Sequence, residues 1–198
     1  TGEIVAEQEG PAGELAVDGE PVRFRSSADA IAHGIGMVHQ HFQLVQAFSV
    51  AENVVLGDEL RRGPMLDLDA ARERIATLSA DWGVPVDPDT KVEDLSVGQQ
   101  QRVELLKALF RDASILILDE PTAVLTPGEV DEFFGVVRSL TAQGKSIVFI
   151  THKLREVREV ADRITVIRPG KVVGEASPTA TNAELAELLA QAKALTAA

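Results

Sequence analysis

The 198 residues carry 31 acidic and 19 basic side chains for a net charge of −12, with 45% hydrophobic and 25% charged residues. That is the composition of a globular domain with a core. The absence of cysteine excludes disulfide scaffolds, thiolate metal sites and cysteine nucleophiles. No apolar run approaches the ~18 residues of a membrane span, and the acidic balance argues against a broad nucleic-acid-binding face. Residue 1 is Thr rather than Met, which fits either a removed initiator or a piece of something longer.

Residues 13–22 hold two short alternating runs around Asp18-Gly19, a pair suited to a tight hairpin because both residues tolerate positive φ. A short helix is predicted over 27–33, stopped by Gly34, and then a strand over 35–39 that delivers Gln40 at its carboxyl end. Ser49 and Glu52 form a capping box ahead of Val50, Val54 and Val55, and Gly57 closes that helix. Asp67 or Asp69 caps the next helix, in which Ile75, Leu78 and Trp82 recur at helical spacing until Pro85, Asp87 and Pro88 break it. Ser96 and Gln99 write a second capping box, before a helix with the stripe Val103, Leu106 and Phe110.

From Ser114 the pattern changes. Residues 115–118 are continuously apolar, as in a strand buried on both faces of a parallel sheet. Thr126, Pro127 and Glu129 then supply a cap, a first-turn proline and a capping-box acid for a helix carrying Val130, Phe133, Phe134 and Val137. Gly144 ends it, and 147–150 reads as a second buried strand. A short helix with Leu154, Val157 and Ala161 follows, then strands over 163–167 and 171–175 joined at Pro169-Gly170. The alternation of strand and helix predicts a doubly wound α/β core. Residues 182–195 read as an amphipathic helix.

Open α/β sheets bind ligands at the carboxyl ends of their strands, and three strands here end in polar groups. Asp119 and Glu120 close the run 115–118. Such a pair either holds Mg²⁺ and orients a water, as in P-loop ATPases, or is a solvated pair of acids. His152 follows 147–151, where it either contacts a terminal phosphate or serves local structure. Gln40 ends the strand 35–39, and its amide oxygen can ligate a metal or a water. A fourth element opens the helix at Ser96. A hydroxyl, a glycine at 98 permitting close backbone approach, and the free N–H groups of a first turn make an anion site. Packing by itself offers no reason for a glycine there. His39 and His41 flank Gln40, but without a third ligand they point to surface polarity rather than metal.

These elements together resemble the nucleotide-binding domain of ABC transporters, across roughly residues 13–175. Residues 95–99 are similar to the family signature, 115–120 to Walker B, Gln40 to the Q-loop glutamine and His152 to the switch histidine. The runs 36–42, 95–102, 121–127 and 150–154 are similar to the first cassette of the tandem importer ATPases for simple sugars and nucleosides. The resemblance implies a P-loop NTPase-like α/β fold with a mostly parallel sheet, a small antiparallel β part and a helical subdomain near 42–112. The cassette would take 1–178, leaving 179–198 as a C-terminal helix or a linker towards a second cassette.

The resemblance further implies an ATPase that energises an importer for simple sugars or nucleosides, with ATP and Mg²⁺ bound. Asp119 would hold Mg²⁺ through water together with Gln40, Glu120 would polarise the attacking water, and His152 would contact the γ-phosphate. Ser96, Gly98 and Gln99 would bind the ATP of the partner cassette. The implied partners are a second cassette, transmembrane permease subunits facing Phe42 and Leu44, and, indirectly, an extracytoplasmic solute-binding protein. No nucleic acid is implied. The protein would sit peripherally on the cytoplasmic face of the membrane.

Two departures from the family stand out. Thr126 replaces the Asp that most ABC proteins carry at the end of the D-loop, a trait of first cassettes in the tandem branch that can make the two composite sites unequal. The P-loop pattern Gly-x-x-x-x-Gly-Lys-[Ser/Thr] is missing from the 198 residues. Gly144-Lys145-Ser146 is a decoy, with Ser139 where the first glycine belongs and a helix leading into a strand instead of the reverse. The family's P-loop strand and helix would lie upstream of residue 13 and beside the strand of Asp119, so the chain reads as a fragment in which Ile115 and Ile117 lose cover. Two other functions compete. One is a catalytically silent cassette fragment. The other is a soluble ABC ATPase acting on ribosomes or DNA, disfavoured because 42–94 is short and acidic where such proteins carry long coiled-coil or basic insertions.

Overall fold

Local chemistry sets most of the elements in the computed structural model, which describes residues 4–7, 14–168, 171–177, 179–181, 183–185 and 187. Two compact units result, Thr1–Ile150 and Thr151–Ala198. In the first, β1 (Ile4–Glu7), β2 (Glu14–Val17) and β3 (Glu20–Val22) form an antiparallel sheet in that order. Asp18 and Gly19 turn β2 into β3 with φ of 52° and 81°, the paired positive values a two-residue hairpin needs. α1 (Ser27–Ala32) starts where the Ser26 side chain accepts the Asp29 N–H, and leads to β4 (Ile35–Val38).

Helices with reciprocal caps come next. α2 (Val50–Val55) has both bonds of the Ser49–Glu52 box. A small hairpin of β5 (Arg61–Arg62) and β6 (Met65–Leu66), which no alternation announces, precedes α3 (Leu68–Trp82). Asp67 is the residue that caps α3. α4 (Val97–Phe110) has the Ser96–Gln99 box. Val50, Val54, Val55, Ala71, Ile75, Val103, Leu106 and Phe110 are all buried, so α2 and α3 pack on α4 through the stripes their spacing describes. Arg74 lies 4.4 Å above the Phe110 ring and donates to its carbonyl at 2.6 Å.

β7 (Ile115–Asp119), α5 (Pro127–Ala142) and β8 (Ser146–Ile150) complete the first unit. Its parallel sheet has three strands in the order β4-β7-β8. One face is covered, with Leu116, Leu118, Phe133, Phe134 and Val137 buried. On the other face Val17, Ile35 and Ile115 form a small core with Val22 and Phe24. Towards the carboxyl edge that face opens. Met37, Ile117 and Val148 stand in one row, and Met37, Val148 and Ile150 are 42%, 42% and 45% exposed.

Three expectations change here. β8 is not a buried strand, because among the described residues it pairs on one side only, with β7, and one of its faces lies open. No place is left beside β7 for a P-loop strand, since β4 and β8 occupy both of its edges; a further parallel strand could pair only outside β4 or β8. Ile115 keeps its cover, because Val17 packs on it, and the exposed positions are Met37, Val148 and Ile150 instead.

In the second unit, α6 (Leu154–Val160) is followed by β9 (Ile164–Arg168) and β10 (Lys171–Ala176), an antiparallel pair. Among the described residues β9 pairs with β10. Pro169-Gly170, and all of the expected helix over 182–195 except 183–185 and 187, lie outside the described residues. No helix among the described residues is long and apolar enough to cross a membrane.

Candidate functional site

Parallel pairing brings the carboxyl ends of β4, β7 and β8 to one edge. Val38 stands opposite Leu118, and Asp119 opposite Ile150. Gln40, two residues beyond β4, and the Asp119-Glu120 pair therefore share that edge. Residues 115, 117 and 119 alternate onto one face, so Asp119 lies on the open side of the sheet with Met37 and Val148. Asp119 is half-buried, whereas Gln40 is exposed.

Glu120 is held in an unusual backbone state. Its φ is 46°, a left-handed conformation that costs a non-glycine residue of order 1 kcal/mol and concentrates at functional sites. Its N–H donates to the Ile150 carbonyl at 2.9 Å, and its own carbonyl accepts from Ala123 N at 3.1 Å. The strand end thus turns sharply at the second carboxylate and is anchored on β8. Pro121 and Thr122 are buried immediately after it.

His152 belongs to the second unit and is exposed. Its neighbours tie the segment to α6: Thr151 Oγ1 donates to Glu156 at 3.1 Å and accepts from Lys153 N at 3.2 Å, while Lys153 pairs with Glu156 at 3.0 Å.

Ser96, Gly98 and Gln99 open α4. Ser96 Oγ accepts from Gln99 N at 3.3 Å, and Gln99 Oε1 accepts from Ser96 N at 2.9 Å. Gly98 does have a packing reason. A Cβ there would come within 2.5 Å of Glu129 Oε1 and 2.9 Å of its Cδ, so the α5 carboxylate fills the space that sequence spacing reserves for an anion. Glu129 Oε2 meanwhile accepts from Thr126 N at 2.9 Å and Thr126 Oγ1 at 2.8 Å. These Thr126 donors, then the Gly98 N–H and the Arg102 charge, hold the Glu129 carboxyl below the usual carboxylate range. Whatever the ionised cap adds to folding is complete above the unfolded value and is lost as pH falls through the depressed folded one. An ion pair between Arg102 and Glu132 ties α4 to α5 beside it.

The decoy is also plain. Gly144-Lys145-Ser146 leads from α5 into β8, and Lys145 Nζ is spent on the Ala113 carbonyl at 2.7 Å, 5.3 Å from the Trp82 ring centroid. Sequence reasoning missed Glu104, Lys107 and Asn53, whose side chains hold the loop after Gln40. The available signal was a carboxylate on the buried side of an apolar helix.

The family model for ABC transporters matches residues 3–123, more than half of the chain, and the protein belongs to that family. A nucleoside import ATP-binding protein, NupA, of Lactococcus lactis subsp. cremoris is 54% identical over 89% of this chain and 35% of its own length. A glucose import ATP-binding protein, TsgD13, of Haloferax volcanii is 46% identical over 89% of this chain and 38% of its own. The chain thus spans little more than a third of the length of these curated relatives. Among solved structures, cbiO1 from Clostridium perfringens, part of the ABC transporter complex cbiONQ, superposes with a TM-score of 0.71 at 29% identity, covering 89% of this chain and 69% of that one.

Proposed function

We propose that this chain is part of the ATP-hydrolysing subunit that energises an ABC importer for simple sugars or nucleosides. The observation that carries the reading is the shared edge of β4 and β7, which gathers Gln40, Asp119 and a backbone-strained Glu120. The names of the relatives give the solute class. One carboxylate with one amide is the sparse donor set that suits Mg²⁺, which keeps waters and relies on substrate phosphates for its remaining ligands. Bound MgATP supplies the scissile phosphate and neutralises part of its charge. Asp119 and Gln40 would hold the metal, Glu120 would accept the proton of the attacking water, and His152 would contact the γ-phosphate. Ser96, Gly98 and Gln99 present helix N–H groups and a hydroxyl to the ATP of the partner cassette.

On this reading residues 1–178 make the cassette, with the helical part near 42–112, and 179–198 is a C-terminal helix or a linker towards a second cassette. Phe42 and Leu44 face the permease, the solute-binding protein acts from the far side, and the subunit lies peripherally at the cytoplasmic face.

Ser96→Arg in the full-length protein tests the arrangement. A bulky cation in place of the hydroxyl is expected to abolish turnover at the site completed by Ser96 and to spare the site of Asp119. Trapped-nucleotide mapping reads the two separately, and loss confined to the Asp119 site would refute a phosphate bound in trans.

Glu129 must release Gly98 when that phosphate arrives. Glu129→Gln keeps a side chain that can cap Thr126 and removes the opposing charge. It is expected to tighten ATP at the composite site by about fivefold, the modest effect of an exposed charge contact. Unchanged affinity in a nucleotide titration would mean that the carboxylate leaves without cost.

A further inference from the structure

The loop over 39–49 has no helix or strand, yet side chains grip its backbone at fixed points. The Gln43 N–H donates to the carboxylate of Glu104, and the Gln43 carbonyl accepts from Lys107 Nζ at 2.9 Å. Both partners lie on α4, three residues apart and so on one face. From α2, Asn53 Oδ1 accepts from Val45 N at 2.7 Å, and Asn53 Nδ2 donates to the Val45 and Ser49 carbonyls, each at 3.0 Å.

Glu104 is only 4% exposed, among the buried Val103, Leu105 and Leu106. Burying a carboxylate is costly unless it is bonded, and an apolar side chain would serve packing alone at lower cost. The reaction as read from the strand edge uses neither Glu104 nor Lys107. Their partners are the N–H and C=O of one residue, three positions after Gln40. Gln40 itself is exposed and stands only two residues past the end of β4, so its placement depends on what holds the chain beyond it.

We propose that Glu104 and Lys107 are positioning residues that clamp the Gln43 peptide, thereby setting Gln40 at the strand edge and tying it to the helix that begins at Ser96. This rests on Gln40 being a ligand of Mg²⁺ or of the attacking water.

The test uses the full-length protein assembled with its membrane subunits, comparing Glu104→Leu, Glu104→Gln, Lys107→Met, the Glu104→Leu/Lys107→Met double variant and Gln40→Ala. Lys107→Met removes one arm of the clamp without leaving a buried cavity. Expected for Glu104→Leu and Lys107→Met is a fall in kcat of about tenfold or more, since small misplacements at a reacting centre cost up to ~10²-fold. KM for ATP stays within about twofold, the Mg²⁺ needed for half-maximal rate rises, and the double variant is no worse than the weaker single one, because both arms act as one unit. Glu104→Gln keeps an acceptor for the Gln43 N–H and is expected to restore most of kcat. If both single variants melt as wild type does and keep wild-type kcat and Mg²⁺ dependence while Gln40→Ala loses them, the clamp is wrong. Additive losses would also overturn it. Should Gln40→Ala itself leave kcat and Mg²⁺ dependence intact, the reading of Gln40 fails instead.

Discussion

Replacing Glu120 by Gln in the full-length protein is expected to abolish steady-state ATP hydrolysis while leaving ATP binding and cassette closure intact. The change is isosteric, so it preserves the turn that follows β7, with its φ of 46° and its N–H bonded to Ile150. What it removes is the basic oxygen that can take a proton from water. Loss of a positioned general base lowers rates by ~10²–10⁴-fold. On the proposed reading Asp119, on the open face one residue earlier, still holds the metal, so nucleotide affinity is expected to persist. Because the proposed partner cassette would contribute its own site, single-turnover measurements at each site are needed. Retention of more than about half the wild-type turnover would move the base elsewhere, given that drop.

The second large effect concerns the 198-residue chain by itself. Met37, Val148 and Ile150 stand exposed on one face of the parallel sheet, and β8 offers an unpaired edge among the described residues. Fully burying a large aliphatic side chain is worth about 1.5–3 kcal/mol, and each of these is less than half exposed, so the row forgoes part of a typical total stability of about 5–15 kcal/mol. The chain is expected to bind an apolar dye such as anilinonaphthalene sulfonate, to aggregate through the open edge, to melt broadly with no shift on adding ATP, and to hydrolyse none. Val148→Thr with Ile150→Thr should reduce dye binding and lower the melting temperature only slightly, because each side chain is already 42–45% exposed. A cooperative transition stabilised by ATP would overturn the expectation.

Much of the site was legible because its signals are short-range. Gln40, Asp119 and Glu120 each follow an apolar run, and strand ends are where α/β sheets bind ligands. Glu104 was not legible, because its partner is the backbone of a residue 61 positions away. Gly98 was read as reserved for an anion because nothing nearby in sequence packs on it, whereas the group that does arrives from α5.

The sequence by itself determined where helices begin and how the first hairpin turns. The Ser49–Glu52, Ser96–Gln99 and Thr126–Glu129 caps and the Asp18-Gly19 turn all close within three residues, so their energetics need nothing from the rest of the chain. Only the tertiary structure decided that β7 lies between β4 and β8 and which sheet face stays open. Those outcomes depend on which edges meet. An apolar strand such as Ile115–Asp119 satisfies its backbone equally well with any parallel neighbour, and the choice falls to packing among residues far apart in the chain.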